Sequence, residues 1–239
     1  MKRMTENKPK LYCAWFCPFA HRAWISMLAK GIDFDYIEQD PYNKSAEWLA
    51  INPRGLIPCI VHNGESIYES HICIEYVDEA WPHAPRLLSK DPYQRAKARM
   101  WGDFIIKKLI PPYYRFLIKQ SQEEQNEYKE IFLTNILEFS QAMDQAGPFF
   151  QGKELGYVDI MFAPWASRMY ILEHYRGFQI PQTEEYIRYH VWAKAVINHP
   201  SVKAVLQNKD KVLANARPYA EGNAKSELAD AVRNGSTIP

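Results

Sequence analysis

Charge of one sign is missing from this chain: 29 lysines and arginines stand against 28 aspartates and glutamates in 239 residues, leaving a net charge of +1. A near-neutral chain without a dense basic run offers no track for phosphates, so no nucleic-acid partner is expected. Long apolar runs are missing too. Nothing approaches the ~20 residues that span a bilayer, and the charged segment 1–10 has no apolar core of a secretory leader behind it, so no membrane association is expected. Cysteine is scarce, four in all, without framework spacing, which points to a reducing, cytoplasmic setting. No His/Cys cluster has metal-ligand spacing, and neither a P-loop nor Gly-x-Ser-x-Gly occurs, so no metal, nucleotide or serine-hydrolase chemistry is expected. What is present is a 47% apolar, 14% aromatic chain, long enough for one large domain or two small ones.

The chain is organised around Leu11-Tyr12-Cys13-Ala14-Trp15-Phe16-Cys17-Pro18-Phe19-Ala20-His21-Arg22. An apolar, strand-like run stops there, and Pro18 suits the first turn of a helix because its missing N–H would be unpaired anyway. Cys17 therefore falls at a helix N-terminus, where free N–H groups and the macrodipole favour a thiolate and predict a thiol pKa in the ~3.5–7.5 range. The alternative is a buried structural thiol that happens to precede a helix. Ala20 stands where a Cys-x-x-Cys pair would place its second sulfur, and Cys13 lies four residues upstream on the strand, roughly 13 Å away at ~3.3 Å per residue. The chemistry is then monothiol and needs an external thiol.

Downstream, a helix over 20–30 ends at Gly31, a strand holds Phe34, Tyr36 and Ile37, and a short helix spans 45–50. Asn52-Pro53-Arg54-Gly55 is a turn, and residues 56–62 form a strand interrupted by Pro58. Asn63-Gly64 is a hairpin signal, and Ser70 is the expected N-cap of the next helix. The order β-α-β-α-β-β-α resembles a thioredoxin fold. Pro58 fits it as a cis residue turned towards a ligand, or alternatively as a trans edge-strand proline. The prolines of Trp81-Pro82-His83-Ala84-Pro85-Arg86 mark a linker, so a boundary is expected between residues 85 and 86, giving units 1–85 and 86–239. The second unit reads as helical: a segment from Asp91-Pro92 bent or broken at Pro111-Pro112, a long one over 123–146, an apolar core helix over 155–170, then 184–196 and 201–206. Beyond Asn208 the polar, Ala-rich tail is either a last helix or mobile.

Taken together, Cys17-Pro18-Phe19-Ala20, Asn52-Pro53-Arg54-Gly55-Leu56-Ile57-Pro58 and Tyr68-Glu69-Ser70, followed by an all-helical half, resemble a cytosolic glutathione transferase, most closely the omega class. The resemblance covers about residues 10–207. It implies an α/β thioredoxin-like N-terminal domain that binds glutathione, an all-α helical bundle domain that walls a second-substrate site, and a homodimer. Most classes activate glutathione with Tyr or Ser; omega members use cysteine, as at Cys17. By the same resemblance Phe19, Lys44, Ile57, Pro58, Glu69 and Ser70 contact glutathione. Glu69 and Ser70 would hold its γ-glutamyl end, the Ile57 backbone its cysteinyl part, and Lys44 its glycyl carboxylate. Taken alone, Lys44 is a surface lysine and Glu69 a solvated first-turn acid. Tyr113, Tyr114, Trp165 and Arg168 line the second-substrate pocket or simply fill the core. Asp159 matches a family capping box in which Gly156 replaces the hydroxyl residue, so one capping bond is lost.

The implied activity is glutathione-dependent thiol transfer and dehydroascorbate reduction through a mixed disulfide at Cys17. Glutathione is the co-substrate and a small electrophile or disulfide the partner substrate. The competing expectation is a non-catalytic glutathione- or ligand-binding protein on the same fold.

Overall fold

The computed structural model describes residues 8–83 and 85–236. The charged residues 1–7, Ala84 of the linker and residues 237–239 lie outside them.

Four strands, β1 (Lys10–Cys13), β2 (Asp35–Glu38), β3 (Cys59–His62) and β4 (Glu65–Tyr68), make one sheet in the order β2-β1-β3-β4. The β1–β2 pair is parallel, as its crossover helix α1 (Pro18–Ala29) requires, and the other two pairs are antiparallel. Leu11 pairs with Tyr36 on one side and Ile60 on the other, which puts Leu11 and Cys13 into the core on one face. On the other face Tyr12 packs on Trp48 at 5.2 Å. A one-residue slip would exchange the faces. Asn63 and Gly64 take φ of 53° and 87°, the left-handed pair that a two-residue hairpin needs. Pro58 is cis and precedes β3 rather than interrupting it, so the sheet contains no proline and the expected conflict disappears.

Helix α2 (Ala46–Ile51) is capped by Ser45, and α3 (Ser70–Ala80) closes the first layer. The N-cap expected at Ser70 falls one residue earlier. Glu69, not Ser70, is the N-cap, with φ 68° and no capping bond from its side chain, while the Ser70 hydroxyl accepts from Arg22 Nη1 at 3.0 Å.

The second layer is helical: α4 (Pro92–Phe104), α5 (Ile110–Ile118), α6 (Gln122–Gln141), α7 (Tyr157–Ala166), α8 (Tyr170–Arg176), α9 (Ile187–Asn198), α10 (Pro200–Lys203), α11 (Lys209–Ala220) and α12 (Glu227–Arg233). Pro111 and Pro112 break nothing. A wider π-helical turn over Ile105–Leu109 precedes them, and the prolines fall in the first turn of α5, where their missing N–H groups are tolerated. The helix expected over 123–146 stops at Gln141, and the one expected over 155–170 is two helices with a turn between. All ten residues of α7 are buried, which makes it the core helix of this half.

Two apolar cores result. One lies between the sheet, α1 and α3, and a larger one lies among the helices, with Ile25 and Ile74 inserted from the first layer. Polar ties cross the joint. Arg22 Nε of α1 donates to the Met161 carbonyl of α7 at 2.9 Å. Buried Lys30 bonds Asp78 at 3.2 Å, and Asp78 accepts the Leu87 N–H at 2.8 Å. Asp159 supplies half of the capping box. Its carboxylate accepts the N–H of Gly156 at 2.8 Å, and it also accepts the Phe150 N–H at 2.8 Å and the Trp192 indole N–H at 2.7 Å.

Candidate functional site

A cleft of about 450 Å³ opens where the two layers meet. The first layer lines it with Cys17, Phe19, Lys44, Ile57, Pro58, Glu69 and Ser70, and the helical layer with Tyr113, Tyr114, Trp165 and Arg168. The topology therefore brings together all eleven residues singled out from the sequence, which span 152 positions of chain from Cys17 to Arg168.

Cys17 is the N-cap of α1, in extended conformation at φ −80° and ψ 114°, followed by Pro18 in the first turn. It is half-buried, whereas Cys13, Cys59 and Cys73 are fully enclosed in the first core. The expected depression of its pKa is overturned. Burial pushes the thiol up, while the N–H groups of Ala20 and Phe19 and the guanidinium groups of Arg168 and Arg22 pull it down without cancelling that rise. Withdrawing a sulfur from water costs the thiolate its solvation, and here that cost exceeds the help from the helix end.

The two cations are themselves buried. Arg22 is 1% exposed and stacks on Trp165 at 4.8 Å. Arg168 is 6% exposed, donates to the Pro164 carbonyl at 2.8 Å and to His21 Nδ1 at 3.0 Å, and has no carboxylate partner among the described residues. His21 spends its Nε2–H on the Trp15 carbonyl at 2.9 Å, so Nδ1 is free to accept. Burial and the adjacent Arg168 push the His21 pKa well down, keeping the ring neutral at pH 7. Trp165 is 1% exposed and meets Phe19 edge-on at 4.9 Å. The cleft-or-core alternative for these residues dissolves, because they are core side chains whose outer surface forms the cleft wall.

Across the cleft, buried Asn52 holds the turn that presents Ile57. Its amide donates to the Leu56 carbonyl at 2.6 Å and its oxygen accepts the Arg54 N–H at 3.1 Å. The stem of Lys44 lies over Gly55, where a Cβ would come within 2.8 Å of Lys44 Cδ. Lys44 Nζ reaches the Arg54 carbonyl at 3.3 Å and Glu227 Oε1 at 2.8 Å. Glu69 stands 3.7 Å from Arg54 at the rim, and its positive φ is a conformation that a residue with a Cβ adopts at a cost of about 1–3 kcal/mol.

Sequence reasoning missed Phe16, Tyr42, Arg54 and the residues of α11 and α12, among them Tyr219 and Glu227, that wall the outer cleft. Arg54 lay inside a quoted turn motif and was legible there. The tail carried no signal beyond helix propensity. Among the described residues no group of three or more His, Cys, Asp or Glu side chains is placed to hold a metal, and no helix is long and apolar enough to cross a membrane.

Residues 16–80 match the family description "Glutathione S-transferase, N-terminal domain". Glutathione S-transferase U25 of Arabidopsis thaliana is 36% identical over 200 residues, 83% of this chain and 89% of that protein. Glutathione transferase Omega 3C from Trametes versicolor superposes with a TM-score of 0.79 at 37% identity, over 85% of this chain and 90% of its own. A rice glutathione transferase solved in complex with glutathione superposes with a TM-score of 0.82 at 28% identity, over 91% and 98%. With a thioredoxin-like layer, a helical layer and a cleft between them, the chain belongs to the glutathione S-transferase family.

Proposed function

We propose that this transferase carries out glutathione-dependent thiol transfer and dehydroascorbate reduction through a mixed disulfide at Cys17, in the manner of the omega class. The observation that carries this reading is that, of four cysteines, Cys17 alone lines the cleft, at the N-terminus of α1 and among buried guanidinium groups.

The thiolate of Cys17 attacks the glutathionyl sulfur of a mixed disulfide. The Cys17–glutathione S–S bond forms, the original S–S bond breaks, and the leaving thiolate takes a proton. A second glutathione thiolate then attacks the glutathionyl sulfur on Cys17, releasing oxidised glutathione and regenerating the Cys17 thiolate. For dehydroascorbate the Cys17 thiolate adds to a carbonyl carbon, a first glutathione thiolate attacks that sulfur and expels ascorbate with the C–S bonding pair, and a second glutathione resolves the Cys17–glutathione disulfide, so two glutathiones supply the two electrons and two protons. Phe19, the Ile57 backbone beside Pro58, Glu69 and Ser70 hold glutathione, with Lys44 on its glycyl carboxylate. Tyr113, Tyr114, Trp165 and Arg168 receive the small electrophilic or disulfide substrate. Arg168 and Arg22 favour the anionic sulfur each time it forms.

A family homodimer is part of the proposal. Ile72 on α3 and Tyr93 and Met100 on α4 are exposed apolar side chains, and the Arg99–Glu75 pair at 2.5 Å joins those two helices. The boundary between the two units is proposed between residues 85 and 86, a reading supported by Trp81 packing on the first core and Leu87 and Leu88 belonging to the second. Four free cysteines fit a reducing cytoplasm.

Replacing Cys17 with Ser should lower turnover on hydroxyethyl disulfide and on dehydroascorbate by more than about 100-fold; unchanged turnover overturns the mechanism. The raised thiol pKa favours one rival, a protein that binds glutathione without reacting through Cys17. Mass spectrometry after incubation with oxidised glutathione separates the two, since a single glutathionyl group at Cys17 marks thiol transfer.

A further inference from the structure

The outer wall of the cleft is built by α11 and α12, which reach back onto the first layer through three side-chain pairs. Lys44 Nζ donates to Glu227 Oε1 at 2.8 Å, the Tyr42 and Tyr219 hydroxyls lie 3.3 Å apart, and Lys211 Nζ stands 3.9 Å over the Trp15 ring. Lys44 meets no other carboxylate among the described residues. Its ammonium is thus already paired with an anion, and that anion is a carboxylate held at the mouth of the cleft.

The glycyl end of glutathione is also a carboxylate, and the function proposed above assigns it to this same ammonium; the present inference rests on that assignment. Two carboxylates within hydrogen-bond reach of one Nζ repel each other, so the peptide must displace Glu227 or share Lys44 with it at a cost. We infer that Glu227 is a specificity-determining residue, an internal stand-in for the glycyl carboxylate that sets how strongly the site prefers a ligand bearing that group. A ligand without a terminal carboxylate leaves the Lys44–Glu227 pair closed and loses nothing by it. A ligand with one gains Lys44 only after opening the pair.

The geometry makes such an exchange feasible. The Lys44 side chain is 35% exposed and the Glu227 side chain 54% exposed, so water screens the pair and each side chain has room to swing. Glu227 is the first residue of α12, whose hold on the helical core comes from buried Ala229 and Val232 rather than from Glu227. Opening the pair therefore asks for a side-chain rotation and leaves the helix in place.

The experiment compares binding of glutathione and of its glycinamide analogue, the same tripeptide with a neutral terminus, to the full chain by calorimetry. The proteins are the wild type, Glu227→Gln, Lys44→Met and the double variant. Glu227→Gln should tighten glutathione about two- to fivefold, the size of one exposed ion pair, and leave the glycinamide unchanged. In the Lys44→Met background the Glu227→Gln change should affect neither ligand. Equal tightening of both ligands, or none, or the same effect without Lys44, overturns the inference while leaving the glutathione site intact. Failure of glutathione to bind the wild type overturns the site assignment and this inference together.

Discussion

Alkylation of Cys17 by iodoacetamide across a pH series reads the balance of forces at the cleft directly. Only thiolate reacts, and Cys13, Cys59 and Cys73 are enclosed at 0% exposure, so the modified mass reports Cys17. Because burial raises this thiol from its ordinary value of 9.0, the rate should climb about tenfold per pH unit through neutrality, with no plateau below pH 9. Arg168→Met removes one of the two cations that oppose the rise. Losing that charge lets the thiol rise further, which lowers the thiolate fraction, an effect only partly offset by the greater nucleophilicity of the remaining thiolate. The variant should therefore react more slowly, by about threefold or more, at pH 7 while keeping its slope. Thiol-transfer turnover limited by attack of Cys17 should follow the same profile. A rate plateau below about pH 7.5 would show a depressed thiol and refute the claim that desolvation outweighs the helix end and the guanidinium groups.

Asp159→Ala strands three N–H donors, two of them buried, and should destabilise the protein by about 2 kcal/mol or more in urea unfolding; a change under about 1 kcal/mol would remove the carboxylate from its structural role. Burial raises the Asp159 pKa to about 6 from 3.8, against the pull of the N–H groups of Gly156, Trp192 and Phe150. The folded chain then binds more protons across that window, so this group's contribution to stability falls as pH rises from about 4 to about 6, by on the order of 3 kcal/mol. Asp159→Asn should flatten that component; an unaltered difference between pH 4 and 6 would assign the slope to other groups. Light scattering at micromolar concentration should give a dimer for the wild type and a monomer for Ile72→Asp, and a wild-type monomer would exclude the dimer face on α3 and α4.

Much of the fold was legible because short-range chemistry wrote it. Pro18 after Cys17, Gly31 after α1, Asn63-Gly64 between β3 and β4, and Asp91-Pro92 before α4 each fix a local backbone conformation that few other residues would adopt. These signals ordered the elements, and the motifs around Cys17, Pro58 and Glu69 pointed to a common cleft. What failed locally was what depends on neighbours across the chain. Ser70 has the chemistry of a cap, yet Arg22 claims its hydroxyl and the turn is made by Glu69 at positive φ. Pro111 and Pro112 look like a break, yet a π turn upstream absorbs them.

By itself the sequence determined the β-α-β-α-β-β-α order, the helical second half and the family, and it pointed to eleven of the residues that line the cleft, because each is encoded by side chains within a few positions of one another or by motifs in a fixed order. The tertiary structure alone decided the state of Cys17, since a sequence can place a sulfur at a helix end but cannot show how much water the second layer excludes from it. It also decided that Glu227, 183 positions beyond Lys44, closes on that lysine, because the pairing of charges so far apart in the chain is set only when both layers have packed.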